Sequence, residues 1–185
     1  ESRLAYDRVQ LTSYFDEGKG ADDLALASES YYQSNGVNYL LNSKVTQLDT
    51  ENNQVITDSG HIESYDKLVL ATGSFPFVPP IPGNDQEHCH VYRTLDDLDA
   101  IELSSKQSKS GVVIGGGLLG LEAANAVKNL GLETHVVEFA PRLMAVQLDD
   151  GGGALLRRKI EGLGVQVHTE KATSEIVAGD TARYR

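Results

Sequence analysis

A glycine-rich stretch at residues 115–120 has the spacing of a phosphate-binding turn. It reads Gly-Gly-Gly-Leu-Leu-Gly and fits the pattern G-x-G-x-x-G, with an apolar strand-like segment before it and a helical pattern from Leu118 and Leu119 onward. A turn between a strand and a helix leaves backbone N–H groups and the positive end of the helix dipole facing a ligand. The stretch therefore predicts a site for the pyrophosphate of a dinucleotide.

Each glycine of the pattern has a separate expected task. Gly115 permits the tight turn, Gly117 leaves room for a phosphate because it has no Cβ, and Gly120 lets the helix pack close to the strand. Gly116 is outside these three positions, so we expect it to tolerate a side chain better. A glycine-rich loop that only turns the chain is the alternative interpretation.

An acidic residue stands where a dinucleotide site needs one. Glu138 ends the next strand-like segment, 138 − 115 = 23 residues after Gly115. A carboxylate there accepts hydrogen bonds from the adenosine ribose and repels a 2′-phosphate, which favours NAD over NADP. Arg142 could instead pair with that phosphate, so NADP stays open, and Glu138 could also be an ordinary solvated carboxylate.

The remaining polar residues form no catalytic pattern that we recognise. The five histidines are scattered, the one cysteine is Cys89, and no G-x-S-x-G sequence occurs. His88 and His90 flank Cys89, but alternate side chains of a strand point to opposite faces and no further ligand pair is evident. We therefore expect a surface loop here and no metal site. With no predicted catalytic residues, the chemistry should come from a bound cofactor.

The composition narrows the classes of partner and location. The chain has 185 residues with 16 basic and 27 acidic side chains, a net charge of −11, which disfavours nucleic acid and anionic membranes. No apolar run approaches the roughly 18 residues of a spanning helix, and no signal peptide opens the chain. We expect a cytoplasmic protein, and the first residue, Glu1, indicates a piece of a longer one.

The elements around the glycines predict an α/β fold. Strand-like segments at residues 111–114, 134–138 and 165–168 alternate with helical patterns at 118–130 and 154–163. This alternation is typical of a doubly wound parallel sheet. After it, Ile176 and Val177 could begin a hairpin.

A different organisation precedes this unit. Helical patterns at 11–17 and 21–33 are followed by strand-like segments at 45–48, 55–56 and 68–70, which predict a β-meander. Four of the five prolines then fall within residues 76–82 and mark a boundary at Gly83. Beyond it, Thr94 with Asp97 three residues later predicts a capped helix, and a polar linker follows.

Several segments together resemble the pyridine-nucleotide–flavin oxidoreductases, including their ferredoxin-reductase and rubredoxin-reductase types. The run over 91–169 is similar in particular to the flavoprotein region of the large subunit of bacterial NAD(P)H-dependent nitrite reductases. The segments that carry the wider resemblance are residues 6–8, 65–73, 93–97 and 115–123.

The resemblance implies a Rossmann-like, three-layer FAD/NAD(P)-binding fold in which an NAD domain is inserted into an FAD domain. Residues 1–83 would be a partial FAD domain with its meander, 84–109 a connecting helix and linker, and 110–185 a partial NAD domain.

The resemblance also implies site residues. Arg8 would lie near FAD, the backbone of Val45 would meet the adenine, Thr72 and Gly73 would pass close to the flavin nucleotide, and Glu122 would touch the nicotinamide carboxamide.

The implied activity is transfer of a hydride from NADH to FAD. Electrons would continue to sirohaem and iron–sulfur domains of the same protein, which reduce nitrite to ammonia in nitrate assimilation. A free-standing NADH:rubredoxin or ferredoxin reductase and a non-catalytic nucleotide-binding redox module are the alternatives.

The sequence departs from the family pattern in three places. No second G-x-G-x-x-G is present for FAD, Gly179-Asp180 comes too early for the family's Gly-Asp motif, and Ser13 stands where a lysine is usual. We therefore expect the isolated piece to be inactive and to hold no flavin tightly.

Overall fold

The computed structural model describes residues 1–16 and 19–179. Contacts between residues divide the chain into two compact units. Glu1–Asp7 and Asp22–Phe75 form one unit, and Arg8–Ala21 with the chain from Pro76 onward forms the other. The domain boundaries at Gly83 and residue 109 stay a prediction, whereas the predicted α/β fold is confirmed.

The first unit contains an antiparallel meander. Its strands are β1 (Val45–Asp49), β2 (Gln54–Thr57) and β3 (Ile62–Ser64), paired in the order β1-β2-β3. A short helix, α1 (Glu29–Ser34), precedes them and begins where the Ser28 side chain accepts a hydrogen bond from the Tyr31 N–H.

The third strand lies earlier in the sequence than predicted. The chain turns directly after β2, where the Gly60 N–H donates to the Thr57 carbonyl, so β3 is already paired at residues 62–64. No strand forms at 68–70, where Val69 and Leu70 are exposed.

The predicted helices near the start of the chain are also different. The first is a 3₁₀ helix over Arg8–Phe15, while Glu17 lies outside the described residues. The second is divided into a 3₁₀ turn at Ala21–Leu24 and α1, because the cap at Ser28 starts a new helix there.

The helix predicted after the proline segment is confirmed as α2 (Leu95–Ser105). The Thr94 side chain accepts from the Asp97 N–H at 3.2 Å, and the Asp97 carboxylate accepts from the Thr94 N–H at 2.7 Å. This reciprocal capping satisfies two N–H groups at the helix start. Two leucines of this helix, Leu95 and Leu98, are buried.

The second unit contains the predicted parallel sheet. Its strands, β4 (Ser110–Ile114), β5 (Glu133–Val137) and β6 (Gln166–His168), lie in the order β4-β5-β6. The connecting helices are α3 (Leu118–Asn129) and α4 (Asp150–Gly162).

The core of this unit is small and apolar, and consists of Ala124, Val136, Leu143, Val165 and Val167. Alanines on α3 let it approach the sheet closely. Gly131 follows the end of α3 as predicted, and no strand forms at residues 176–177.

Within the described part of the chain, every helix is too short or too polar to cross a membrane.

Candidate dinucleotide-binding site

The turn after β4 needs glycine at its first and last pattern positions. Gly115 has φ +115°, a conformation that L side chains rarely adopt, and its N–H donates to the Val137 carbonyl at 2.8 Å. A Cβ on Gly120 would overlap the carbonyl oxygen of Gly115. The helix approaches the turn closely at Gly120, with the nearest atoms in the Gly115 backbone, and the same Cβ would lie 3.7 Å from Val113 Cγ1 of β4.

Gly117 differs from both, because nothing in the described chain requires it to be glycine. Its φ is −79°, it is exposed, and no atom lies within 4 Å of a Cβ built on it. It is the N-cap of α3, and no side chain caps the helix there. Open space beside the N-cap residue of a helix whose N–H groups no side chain caps fits a phosphate.

The expectation that Gly116 tolerates a side chain better is wrong. Gly116 is buried, and a Cβ on it would lie 2.6 Å from Leu143 Cδ2 and 3.1 Å from both Cβ and Oε2 of Glu138. Leu143 is fully buried and its movement is restricted. The sequence pattern did not indicate this because the neighbours come more than 20 residues later.

Glu138 lies directly after β5 with its carboxylate on the glycine turn. Its Oε2 accepts from the Gly116 N–H at 2.5 Å, and its Oε1 accepts from the Ala140 N–H at 2.7 Å. The Glu138 N–H donates to the His168 carbonyl at 2.8 Å. An ionised carboxylate can accept about four hydrogen bonds, so this half-buried group can also accept bonds from ribose hydroxyls.

Arg142 lies in the loop after Glu138, with its guanidinium bonded to the chain. Nε donates to the Leu148 carbonyl at 2.9 Å, Nη2 to the Ala145 carbonyl at 3.3 Å, and Nη1 pairs with Asp150 at 2.8 Å. These contacts direct the cation to the start of α4.

Glu122 is half-buried on α3, and its charge acts on Tyr92, a residue that the sequence did not connect with it. The Tyr92 hydroxyl donates to Thr12 Oγ1 at 3.3 Å. The pKa of Tyr92 is raised, first by burial and in a smaller part by the charge of Glu122, against the lowering effect of the Thr12 bond. Leu118 and Leu119 are exposed at the start of α3.

The residues expected near flavin are divided between the two units. Arg8 lies in the second unit, where Nη1 donates to the Arg93 carbonyl at 3.1 Å. Burial and the charge of Arg93 lower the pKa of Arg8, while Asp97 raises it. Val45, Thr72 and Gly73 lie in the first unit and are all exposed.

The two histidines beside Cys89 lie together, whereas the Cys89 Sγ contacts the Gly83 carbonyl oxygen at 3.7 Å. No strand forms there, His88 has φ +69°, and both rings contact the Ser104 hydroxyl, at 3.1 Å from His88 and 2.7 Å from His90. Among residues 1–16 and 19–179, no three histidine, cysteine or carboxylate side chains are grouped to hold a metal ion.

The dinucleotide-binding class of α/β proteins is defined by a parallel sheet with a glycine turn after its first strand and a carboxylate after its second. The family model described as pyridine nucleotide-disulphide oxidoreductase matches residues 1–184. The chain belongs to this family.

Two curated relatives and one solved structure are similar to this chain over nearly its whole length. A nitrite reductase [NAD(P)H] large subunit of Klebsiella oxytoca is 58% identical over 97% of this chain and 19% of its own length. A nitrite reductase (NADH) large subunit of Escherichia coli (strain K12) is 53% identical over 96% of this chain and 21% of its own. A ferredoxin reductase of Rhodopseudomonas palustris has a TM-score of 0.86 at 30% identity, covering 97% of this chain and 45% of that one. The chain therefore spans about a fifth of the length of these curated relatives.

Proposed function

We propose that this chain is the NADH-binding part of a flavoprotein that supplies electrons for the reduction of nitrite to ammonia. The observation that carries the proposal is the turn at residues 115–120, together with the carboxylate of Glu138 bonded to it. The relatives named nitrite reductase support the choice of acceptor. In this proposal, residues 110–185 are part of an NAD domain in a cytoplasmic protein.

The described residues fit NADH. The open space beside Gly117 would hold the pyrophosphate against the start of α3, with Gly115, Leu118, Leu119 and Gly120 shaping the turn. Glu138 would accept bonds from the ribose hydroxyls, and its charge would repel a 2′-phosphate. Glu122 would orient the nicotinamide end. When bound, NADH supplies a hydride and FAD accepts it.

The fit to FAD is incomplete. Val45, Thr72 and Gly73 present exposed positions, and Arg8 presents a cation near Arg93, but the sequence contains no second glycine turn for the FAD pyrophosphate. We propose only these contacts for FAD. We assign sirohaem and the iron–sulfur cluster to other domains of the full-length protein, which would receive the electrons.

A second candidate function is a free-standing ferredoxin or rubredoxin reductase. The structural similarity to a ferredoxin reductase favours it, although the identity to that protein is 30%, against 58% to the first nitrite reductase. A non-catalytic nucleotide-binding module would keep the site and lack turnover.

The test uses the full-length protein with NADH and nitrite. We expect oxidation of NADH that depends on nitrite and yields ammonia. Both NADH oxidation and ammonia formation should be lost when Gly117 carries a side chain. Oxidation of NADH only with added ferredoxin or rubredoxin would support the second candidate. Binding of NADH with no oxidation under any acceptor would indicate the non-catalytic module.

A further inference from the structure

In the loop between β5 and α4, residues 138–149, the side chain of Arg142 bonds to the later part of the loop and to the start of α4. The guanidinium bonds to the carbonyls of Ala145 and Leu148 and to Asp150, which lie at the end of the loop and in the first turn of α4. A Cβ on Gly153 would lie 2.9 Å from Arg142 Cδ. The aliphatic part of the side chain therefore packs directly against α4.

The residues that follow Arg142 connect this loop to the glycine turn. Leu143 is fully buried beneath Gly116, and the Met144 N–H donates to the Gly116 carbonyl at 2.9 Å. On its other side, the Gly116 N–H donates to Glu138 Oε2. Gly116 is thus bonded through its carbonyl to the loop that Arg142 holds and through its N–H to the carboxylate expected to bind ribose.

We propose that Arg142 is a positioning residue for the adenosine end of the NADH site and does not bind the nucleotide itself. It fixes the loop so that Leu143 and Met144 hold Gly116, and Gly116 in turn holds the carboxylate of Glu138. This inference rests on the proposed function, and it decides against the alternative in which Arg142 pairs with the 2′-phosphate of NADPH.

The two roles predict opposite effects on nucleotide selectivity. A ligand of the 2′-phosphate contributes to NADPH binding alone, so its loss would weaken NADPH and spare NADH. A positioning residue acts on the ribose and pyrophosphate region, which both nucleotides share, and on the Glu138 carboxylate that repels a 2′-phosphate. Its loss therefore weakens the binding of both nucleotides and reduces the preference for NADH. Misplacement of site groups by a distant substitution commonly reduces function by about tenfold or more.

The experiment measures dissociation constants of NADH, NADPH, ADP-ribose and nicotinamide mononucleotide for the full-length protein. The variant is Arg142→Met, which keeps the packing on α4 and removes the guanidinium. We expect NADH and ADP-ribose to bind about tenfold more weakly and NADPH to weaken by a smaller factor, so that the preference for NADH decreases. Nicotinamide mononucleotide, which lacks the adenosine, should bind as before.

Arg157→Met is the matched control for stability. Arg157 also connects its helix to a neighbouring segment, through Thr169 and the Val167 carbonyl, and pairs with Glu161 within the helix. These hydrogen bonds involve no residue of the loop. It should lower the melting temperature and leave all four dissociation constants unchanged. If Arg142→Met does not fold, Asp150→Ala removes one partner of Arg142 and should produce the same pattern at a smaller amplitude.

Selective loss of NADPH would overturn the inference in favour of a phosphate ligand, and unchanged constants for NADH and ADP-ribose would overturn it outright. Failure of the proposed function is a different result, because the wild-type protein would then bind none of the dinucleotides.

Discussion

The meander β1–β3 and the parallel sheet β4–β6 have three strands each, but their side chains are buried to different extents. β1 and β3 contain no buried residue, and Thr57 is the one buried side chain of β2. In the second unit, the single strand β5 already contains three buried residues, Thr134, Val136 and Val137. Residues of α3 and α4 pack against the buried cluster that contains Val136 and Val167 of this sheet.

This difference in burial affects how each sheet can position the residues of a ligand site. At the ends of β4 and β5, the Gly115 N–H donates to the Val137 carbonyl and the Gly116 N–H donates to the Glu138 carboxylate. Val45 and Thr72, the flavin contacts expected in the first unit, are exposed and lie at a strand end and in an irregular segment. Substitutions should therefore perturb the two units by different mechanisms and to different degrees.

The largest effect is expected from Gly120→Ala in the second unit. The new Cβ would overlap the Gly115 carbonyl oxygen, a backbone atom that cannot move without breaking the turn. We expect a loss of about 3 kcal/mol in the free energy of unfolding, measured by urea denaturation of the full-length protein.

Gly60→Ala is the matched variant in the meander. Gly60 has φ +82° but no atom within 4 Å of its Cβ position, so only backbone strain of about 1 kcal/mol is expected. Equal losses of unfolding free energy for Gly60→Ala and Gly120→Ala would show that the close approach of Gly120 to Gly115 does not contribute to the destabilisation.

Glu138→Ala should mainly affect ligand binding. The ribose hydroxyls lose a charged acceptor worth about 1.5–3 kcal/mol, and a 2′-phosphate is no longer repelled. We expect weaker NADH binding and a smaller preference for NADH over NADPH, measured by titration of the full-length protein. An unchanged ratio of the two dissociation constants would remove Glu138 from the ribose site.

Gly116→Ala should reduce stability by a smaller amount than Gly120→Ala. Its Cβ meets the end of the Leu143 side chain rather than the backbone, so the cost is about 1–2 kcal/mol. The measurement is the urea midpoint of unfolding. No change in this midpoint would show that Leu143 has room to move.

The smallest effect is on pH dependence and involves His168 on β6. Its Nε2 lies 3.1 Å from His135 Nδ1. Burial, and then the charges of His135, Arg157 and Lys171, lower the pKa of His168 below the ordinary 6.5. Unfolding therefore takes up a proton near this pH, and stability falls as the pH decreases through 6.5. Thermal melts between pH 7 and 5.5 should show a shallower decline for His168→Gln, and an identical slope would refute the assignment.

The parallel unit was predictable from sequence because its signals are local. Apolar runs, helical periodicity, the Thr94 cap and the glycine spacing each act within a few residues, and they predict α2, β4, α3 and β5. The helix predicted at 154–163 begins earlier, at Asp150, because Asp149 caps it there. The third meander strand was placed wrongly because Leu68, Val69 and Leu70 have a strand-like composition, whereas the tight turn at Gly60 completes the pairing earlier.

The site was predictable in its residue types but not in its connections. G-x-G-x-x-G identified the turn, and spacing identified Glu138. The roles of Gly116 and Arg142 depend on contacts with Leu143, Leu148 and Asp150, which arise only when the loop folds back on the turn. No local pattern encodes such contacts.

The central claim is that the turn at residues 115–120 holds the pyrophosphate of NADH, and Gly117→Ala tests it most directly. The space around Gly117 is open and its backbone suits any residue, so alanine should cost less than about 1 kcal/mol of stability at this N-cap. The measurement pairs the NADH dissociation constant with the melting temperature of the full-length protein. We predict an affinity loss of about tenfold or more, about 1.4 kcal/mol, with a nearly unchanged melting temperature. An unchanged affinity for NADH would contradict the claim and leave the turn a purely structural element.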